Sequence, residues 1–148
     1  MASMKDTAVH RIARGLFRVM LSGIFLVAGF NHLTHTEQIA QRLESAPFGH
    51  VATSIADPQV LVLLASAPLV VAGAMLFVGF KTRWAAAVLI AVIIPITLSV
   101  QIGDMATAGP LFKNIGLTGA LLYFATHGSR DWSIDGLGTE PRNCRAHD

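Results

Sequence analysis

Apolar residues are gathered into long stretches along this chain, with the polar residues confined to the intervals between them. From Pro58 to Phe80, between Asp57 and Lys81, there is no charged side chain, and a second uncharged stretch fills the interval between Arg83 and Asp104. About 20 apolar residues cross a hydrocarbon core of roughly 30 Å as helix, and lipid requires every backbone group to bond internally. Both stretches therefore predict membrane-spanning helices, over 58–80 and 84–103. The basic turn Lys81-Thr82-Arg83 makes them an antiparallel hairpin. A first span is predicted from Gly15 to Leu33, with Arg18 one turn inside its start and able to snorkel back to the headgroups. A signal peptide is the rival reading of that stretch, since Lys5, Arg11 and Arg14 precede it and Ala28 and Gly29 end it; it is taken as the first transmembrane helix. The fourth span begins at Gly109-Pro110 and runs to His127, with Gly128 as its C-terminal cap.

The intervals carry their own signals. Thr36 is placed to cap a short helix over 37–43, with Ile39 and Leu43 on one face, ended by Ala46-Pro47. Such a helix would lie at the interface over the mouth of the bundle. Pro68 and Pro95 fall inside the second and third spans, where Ser66, Thr97 and Ser99 are candidates to repair the freed bonding. Gly73 with Ala74, Ala87 with Ala91, and Gly116 with Ala120 offer close helix contacts. After Arg130 the chain is polar, with Gly136, Gly138 and Pro141, and reads as loop or disorder. The expected fold is all-α, a four-transmembrane-helix antiparallel bundle with one short interfacial helix. The expected divisions are an N-terminal segment over 1–13, a membrane domain over 14–128 and a polar tail over 129–148.

Composition agrees with this pattern. Of the 148 residues, 53% are hydrophobic and only 14% charged, against about 25% charged in soluble domains. A net charge of +2 does not point to nucleic acid, because the basic residues cluster at the ends of apolar stretches, where lipid headgroups lie. Cys144, the single cysteine, stands in the polar tail, so no disulfide framework, redox pair or thiolate metal cage is expected.

Lys and Arg bias sets the orientation. Lys5, Arg11, Arg14 and Arg18 precede the first span, Lys81 and Arg83 join the second and third, and Arg130, Arg142 and Arg145 follow the fourth. Four crossings of the inner membrane with both termini cytoplasmic satisfy all three groups. Arg14, Arg18, Lys81, Arg83 and Arg130 then form an inner collar, with Trp84 and Tyr123 as interfacial aromatics, whose expected role is anchoring to lipid, with partner docking as the lesser alternative.

The same topology gathers Asn31, His32, His35, Gln101, Asp104, Lys113 and Asn114 at the outer rim, with His50 folding over from the loop. These residues are the candidate ligand site, for a quinone or a lipid. Lys113 opposes the macrodipole of its own helix near hydrocarbon and needs an anion, a ligand carbonyl or the headgroup region. His32 and His35, three apart, share a helical face, but a metal would need His50, Asp104 or Glu37 as well, and the spacing matches no established motif; no metal is expected. A histidine at this depth can also exchange protons with a quinone. Haem is excluded by geometry, because His127 and His32 fall at opposite ends of a bilayer of roughly 30 Å.

The run from Arg18 to Leu33, ending Phe30-Asn31-His32-Leu33, resembles the opening helix of the DoxX family. Gly73 to Gly79 followed by Thr82-Arg83 resembles its second helix and turn, and Pro110-Leu111-Phe112-Lys113-Asn114-Ile115-Gly116-Leu117 its fourth-helix start. The likeness spans about residues 14 to 127. It implies a four-helix membrane bundle, a family named for a thiosulfate:quinone oxidoreductase subunit, and membrane companions of redox or stress-response proteins. Members often carry a glutamate in the second helix before the glycine pair; here Leu69 and Ala72-Gly73 stand in that region. The expectation is an accessory or anchor subunit of a quinone-linked redox complex, in contact with lipids and with other membrane subunits or its own copies. Lys113 and Asn114 would donate to a quinone carbonyl and His32 would handle the proton. The alternatives are a purely structural subunit and a small-solute carrier built on Pro68 and Pro95.

Overall fold

The computed structural model describes residues 2–101, 108–129 and 132–137, and among these every regular element is helical. The elements are α1 (Ala2–Thr34), α2 (Thr36–Ser45), α3 (Gly49–Thr53), α4 (Pro58–Val78), α5 (Thr82–Val100), α6 (Ala108–His127) and α7 (Ile134–Leu137). Among the described residues, three helical stretches are long and apolar enough to cross a membrane: Ala8–Thr34, Pro58–Val78 and Thr82–Val100. At 20 residues α6 has the length of a span, about 30 Å at 1.5 Å per residue, but Lys113, Asn114 and its glycines dilute its apolar character.

Helix α1 begins well before the predicted Gly15. No Gly or Pro precedes Gly15, and Ala, Met, Lys and Arg favour helix there. Thr36 does not cap α2. It lies inside the helix and donates to the His32 carbonyl at 2.8 Å, while the N-cap position falls to His35. The face predicted for α2 is otherwise present, with Ala40 and Leu43 buried. The short helix α3, in the loop that follows, gave no periodic signal over its five residues. Asp57 caps α4 by accepting from the Gln59 amide at 2.9 Å, and Pro58 sits in its first turn.

One apolar core joins α1 (Leu21, Phe25), α4 (Leu69, Ala72, Leu76), α5 (Ala85, Ala86, Leu89, Ile93) and α6 (Leu117, Leu121, Phe124). Helix α1 packs along α4, α4 against α5, and α5 against α6. Small residues set the spacing between α1 and α4. A Cβ at Gly29 would come within 2.6 Å of Val70, and one at Gly73 within 3.3 Å of Leu26. Gly73 thus makes the close contact expected of it, whereas Gly116 faces open space and Ala74, Ala87 and Ala91 are exposed. Ala72, Ala85 and Ala86 take the core positions instead. The outward faces are apolar as lipid requires: Met20, Val27, Phe112 and Trp84 are each at least 70% exposed.

Both helices continue through their prolines. Each proline frees the carbonyl four residues earlier, which is that of Leu64 for Pro68 and of Ala91 for Pro95. Ser66 instead donates to Leu63 at 2.6 Å and Thr97 to Ile93 at 2.7 Å. Neither performs the repair expected of it.

Candidate functional site

Toward the start of α6, Asn114 is buried and its amide nitrogen donates twice across to α5, to Thr97 Oγ1 at 2.9 Å and Gln101 Oε1 at 3.0 Å. Thr118 Oγ1 donates to the Asn114 carbonyl at 2.8 Å, so the polar groups of this stretch are engaged with one another. Beside them α5 and α6 leave a groove of about 420 Å³, floored by the aliphatic side chains of Ile94, Leu98, Ile115 and Leu122. Thr97, Thr118 and Asn114 supply its polar groups, and Gly119 opens it, with no neighbour within 4 Å of where a Cβ would stand. Its exposed lining is almost wholly aliphatic, and the arrangement suits an elongated apolar segment.

The predicted outer rim is thus assembled in part. Gln101 and Asn114 meet. Lys113, the next residue, is exposed and makes no hydrogen bond or ion pair with a described residue. On α1, Asn31 and His35 are exposed, and His35 Nδ1 lies 2.8 Å from Thr34 Oγ1. His32 is half-buried, and its Nδ1 is enclosed without a hydrogen-bond partner among the described residues. No described hydrogen bond links these three to the Asn114 group. His50 is exposed on α3, and Asp104 lies outside the described residues. Among the described residues no three His, Cys, Asp or Glu side chains gather as a metal site.

The opposite end is more tightly built than expected. Arg18 does not snorkel; it is 3% exposed, donating through Nη1 to Ser129 Oγ at 3.0 Å and through Nη2 to the Trp132 carbonyl at 2.6 Å. Burial of the guanidinium is tolerable because both of its Nη groups find fixed acceptors. Helix α4 ends there at Gly79, with φ 71°, in paired bonds from Gly79 N–H to Leu76 and from Phe80 N–H to Met75. A Cβ on Gly79 would strike both the Arg18 guanidinium and Ser133. From the other side, Asp135 accepts from Lys81 N–H at 2.7 Å, Thr82 N–H at 2.9 Å and Thr82 Oγ1 at 2.8 Å.

Residues 132–136 therefore fold back over the α4–α5 turn, and this part of the expected loop is ordered. Thr82, Ser129, Ser133 and Asp135 carry the knot; the sequence marked Thr82 only as part of a turn, and the other three not at all. Of the remaining collar, Arg14, Arg83 and Trp84 are exposed, and the Arg83 Nε lies 3.4 Å from where a Cβ on Gly128 would stand, beside the end of α6. There a cation favours the helix C-terminus. Tyr123 stacks on His127 at 4.7 Å. Arg130 lies outside the described residues.

The DoxX family profile matches residues 14–102, from within α1 to just past α5. It stops short of α6, so Lys113, Asn114 and the knot residues beyond fall outside the matched region. No curated protein and no solved structure was found to match the chain.

Proposed function

The chain belongs to the DoxX family, and on that footing we propose that it is an accessory or anchor subunit of a quinone-linked redox complex in the inner membrane, binding the quinone or a lipid in the groove between α5 and α6. In this reading α6 is the fourth crossing, the four helices alternate in direction, and both termini are cytoplasmic. The order of contacts supports the alternation: Gly29 meets Leu69 and Val70, Leu26 meets Gly73, and Arg18 meets Gly79. Numbers fall along α1 as they rise along α4. The Arg18 knot joins α1, the α4–α5 turn and the segment after α6.

The groove is the observation that carries the reading. Its almost wholly aliphatic exposed lining suits an isoprenoid tail. Both Asn114 amide hydrogens are engaged by Thr97 and Gln101, so the free donor for a quinone carbonyl is Lys113, one residue away. Asn114 then positions the helix that carries it. His32 serves the proton only if a ligand bridges from α6 toward α1. The redox centre belongs to a partner.

Lipids copurified with the gently extracted full chain, quantified by mass spectrometry, test this. Quinone is expected in the wild type and severalfold less in Gly119→Leu, whose side chain would enter open space in the groove. An absence of quinone from the wild type, or equal amounts in both, overturns the reading.

A purely structural subunit is the second reading, favoured by Asn114 spending its donors within the bundle. It expects Lys113→Met to change assembly of a complex but not its turnover.

A further inference from the structure

Nine residues beyond Asn114 on α6, Tyr123 faces α1 across a second cleft, of about 390 Å³. Its other wall is one face of α1, formed by His10, Ala13, Arg14 and Phe17 at helical spacing. The wall is graded in chemistry. Phe17 and Tyr123 stand with ring centroids 6.5 Å apart, and Phe17 also packs on the buried Phe124 at 5.4 Å. Arg14 and His10, both exposed, lie about one and two turns nearer the start of α1, on the side away from the core. The cleft is thus cationic at one end and aromatic at the other.

We propose that this cleft binds one anionic phospholipid, with its phosphate between Arg14 and His10 and the first acyl segment lying on Phe17 and Tyr123. A guanidinium presents a fork of donors that matches phosphate oxygens, and an imidazole one turn away adds another donor. Aromatic rings at headgroup depth cover the glycerol and upper acyl region. Inorganic phosphate would use the cationic half alone and gain nothing from the two rings. Diffuse attraction to an anionic surface would depend on the charge of α1 and not on which face carries it. The site is separate from the α5–α6 groove and does not depend on the quinone reading.

Native mass spectrometry of the full chain in detergent, titrated with phosphatidylglycerol and phosphatidylcholine of matched acyl chains, tests the assignment. One phosphatidylglycerol is expected to bind ahead of phosphatidylcholine. Arg14→Gln should reduce that preference about fivefold, the effect of one basic residue near an anionic lipid, and His10→Gln should reduce it further, with helicity unchanged in both. Arg11→Gln removes the same charge from the same turn but outside the cleft, and should leave the preference intact. Equal losses in Arg11→Gln and Arg14→Gln would overturn the site in favour of diffuse attraction. Loss of bound phosphatidylglycerol to millimolar inorganic phosphate would overturn the lipid as its occupant. Should Arg14→Gln fail to fold, the wild-type lipid preference and His10→Gln still decide the matter.

Discussion

Asp135 caps the helix that begins at Thr82, from 53 residues further along the chain. One carboxylate oxygen accepts the N–H and the hydroxyl of Thr82, and the other accepts the Lys81 N–H. A helix start leaves four N–H groups unpaired, and a carboxylate there meets both the donors and the positive end of the macrodipole. The task normally falls to a local side chain. Here the N-cap is Lys81, with φ 45° and no capping side chain, so the segment after α6 supplies the acceptor. This explains why α5 begins at Thr82, two residues before the expected start. The link is reciprocal, for the Asp135 N–H donates to the Gly79 carbonyl at 3.0 Å.

The cap has a pH signature. Partial desolvation alone pushes the Asp135 carboxyl up, but hydrogen bonds from Thr82 and Lys81 and the nearby positive charge of Arg18 outweigh it and hold the group below its usual 3.8. A carboxyl depressed by folding stabilises the folded state at pH above its unfolded value, and that contribution disappears as pH falls through the folded value. Thermal midpoints in detergent should therefore show no contribution from this group to a decline until pH nears 3.8, and a loss below it that is absent in Asp135→Asn. At neutral pH, Asp135→Ala should cost about 1 kcal/mol, as for other lost caps. A variant with the wild-type acid profile would show that the carboxylate does not act as the cap.

Arg18 should be the more damaging position. Its Nη groups donate to Ser129 and to the Trp132 carbonyl, so Arg18→Lys keeps the charge but loses the fork that reaches both acceptors. A loss of about 2 kcal/mol is expected, in the range for hydrogen bonds from charged donors. Hydrogen exchange localises the effect. The Asp135 and Gly136 amides, bonded to the Gly79 carbonyl and Ser133 Oγ, should lose protection while the core of α4 keeps its own. Unchanged protection at both amides would mean that the segment holds without Arg18.

Legibility in the sequence followed the strength of the physical constraint. Lipid admits one solution for an uncharged run of about 20 residues, so α4, α5 and the apolar part of α1 could be read nearly to their ends. Gly128, φ 69°, could be read as a cap because glycine takes a left-handed backbone readily. Asn114 was legible as a polar residue in an apolar helix, but its partner Thr97 was assigned to repairing the Pro95 kink. Arg18 looked like a snorkelling residue because its acceptors lie more than 100 positions away. The Ser133-Ile134-Asp135 segment has neither periodicity nor composition to set it apart, and the contacts that place it come from distant residues, Arg18 on α1 and the α4–α5 turn.

The orientation can be tested with the chain's own chemistry. Cys144 is the only cysteine, so a membrane-impermeant maleimide should label the wild type only after the membrane is opened. In a Cys144→Ser background, Ser45→Cys, at the exposed end of α2, should be labelled in intact cells. Labelling of both positions from the same side would remove the fourth crossing and, with it, the shared outer rim of α1, α5 and α6.

Asn114 offers the sharpest separation between a ligand-binding amide and a structural one. Interhelical hydrogen bonds in membranes average about 0.6 kcal/mol, because the separated helices find other partners for the same groups. Two such bonds join Asn114 to α5, so Asn114→Leu should cost about 1 kcal/mol. A double-mutant cycle between Asn114→Leu and Gln101→Leu should give a coupling of about 0.6 kcal/mol. A structural amide shows the same coupling whether or not quinone is present in the detergent. If the ligand competes for the amide hydrogens, adding quinone should reduce the coupling toward zero. A coupling already absent without ligand would mean that Asn114 and Gln101 do not engage each other, and the polar part of the α5–α6 groove would then have to be assigned to other groups.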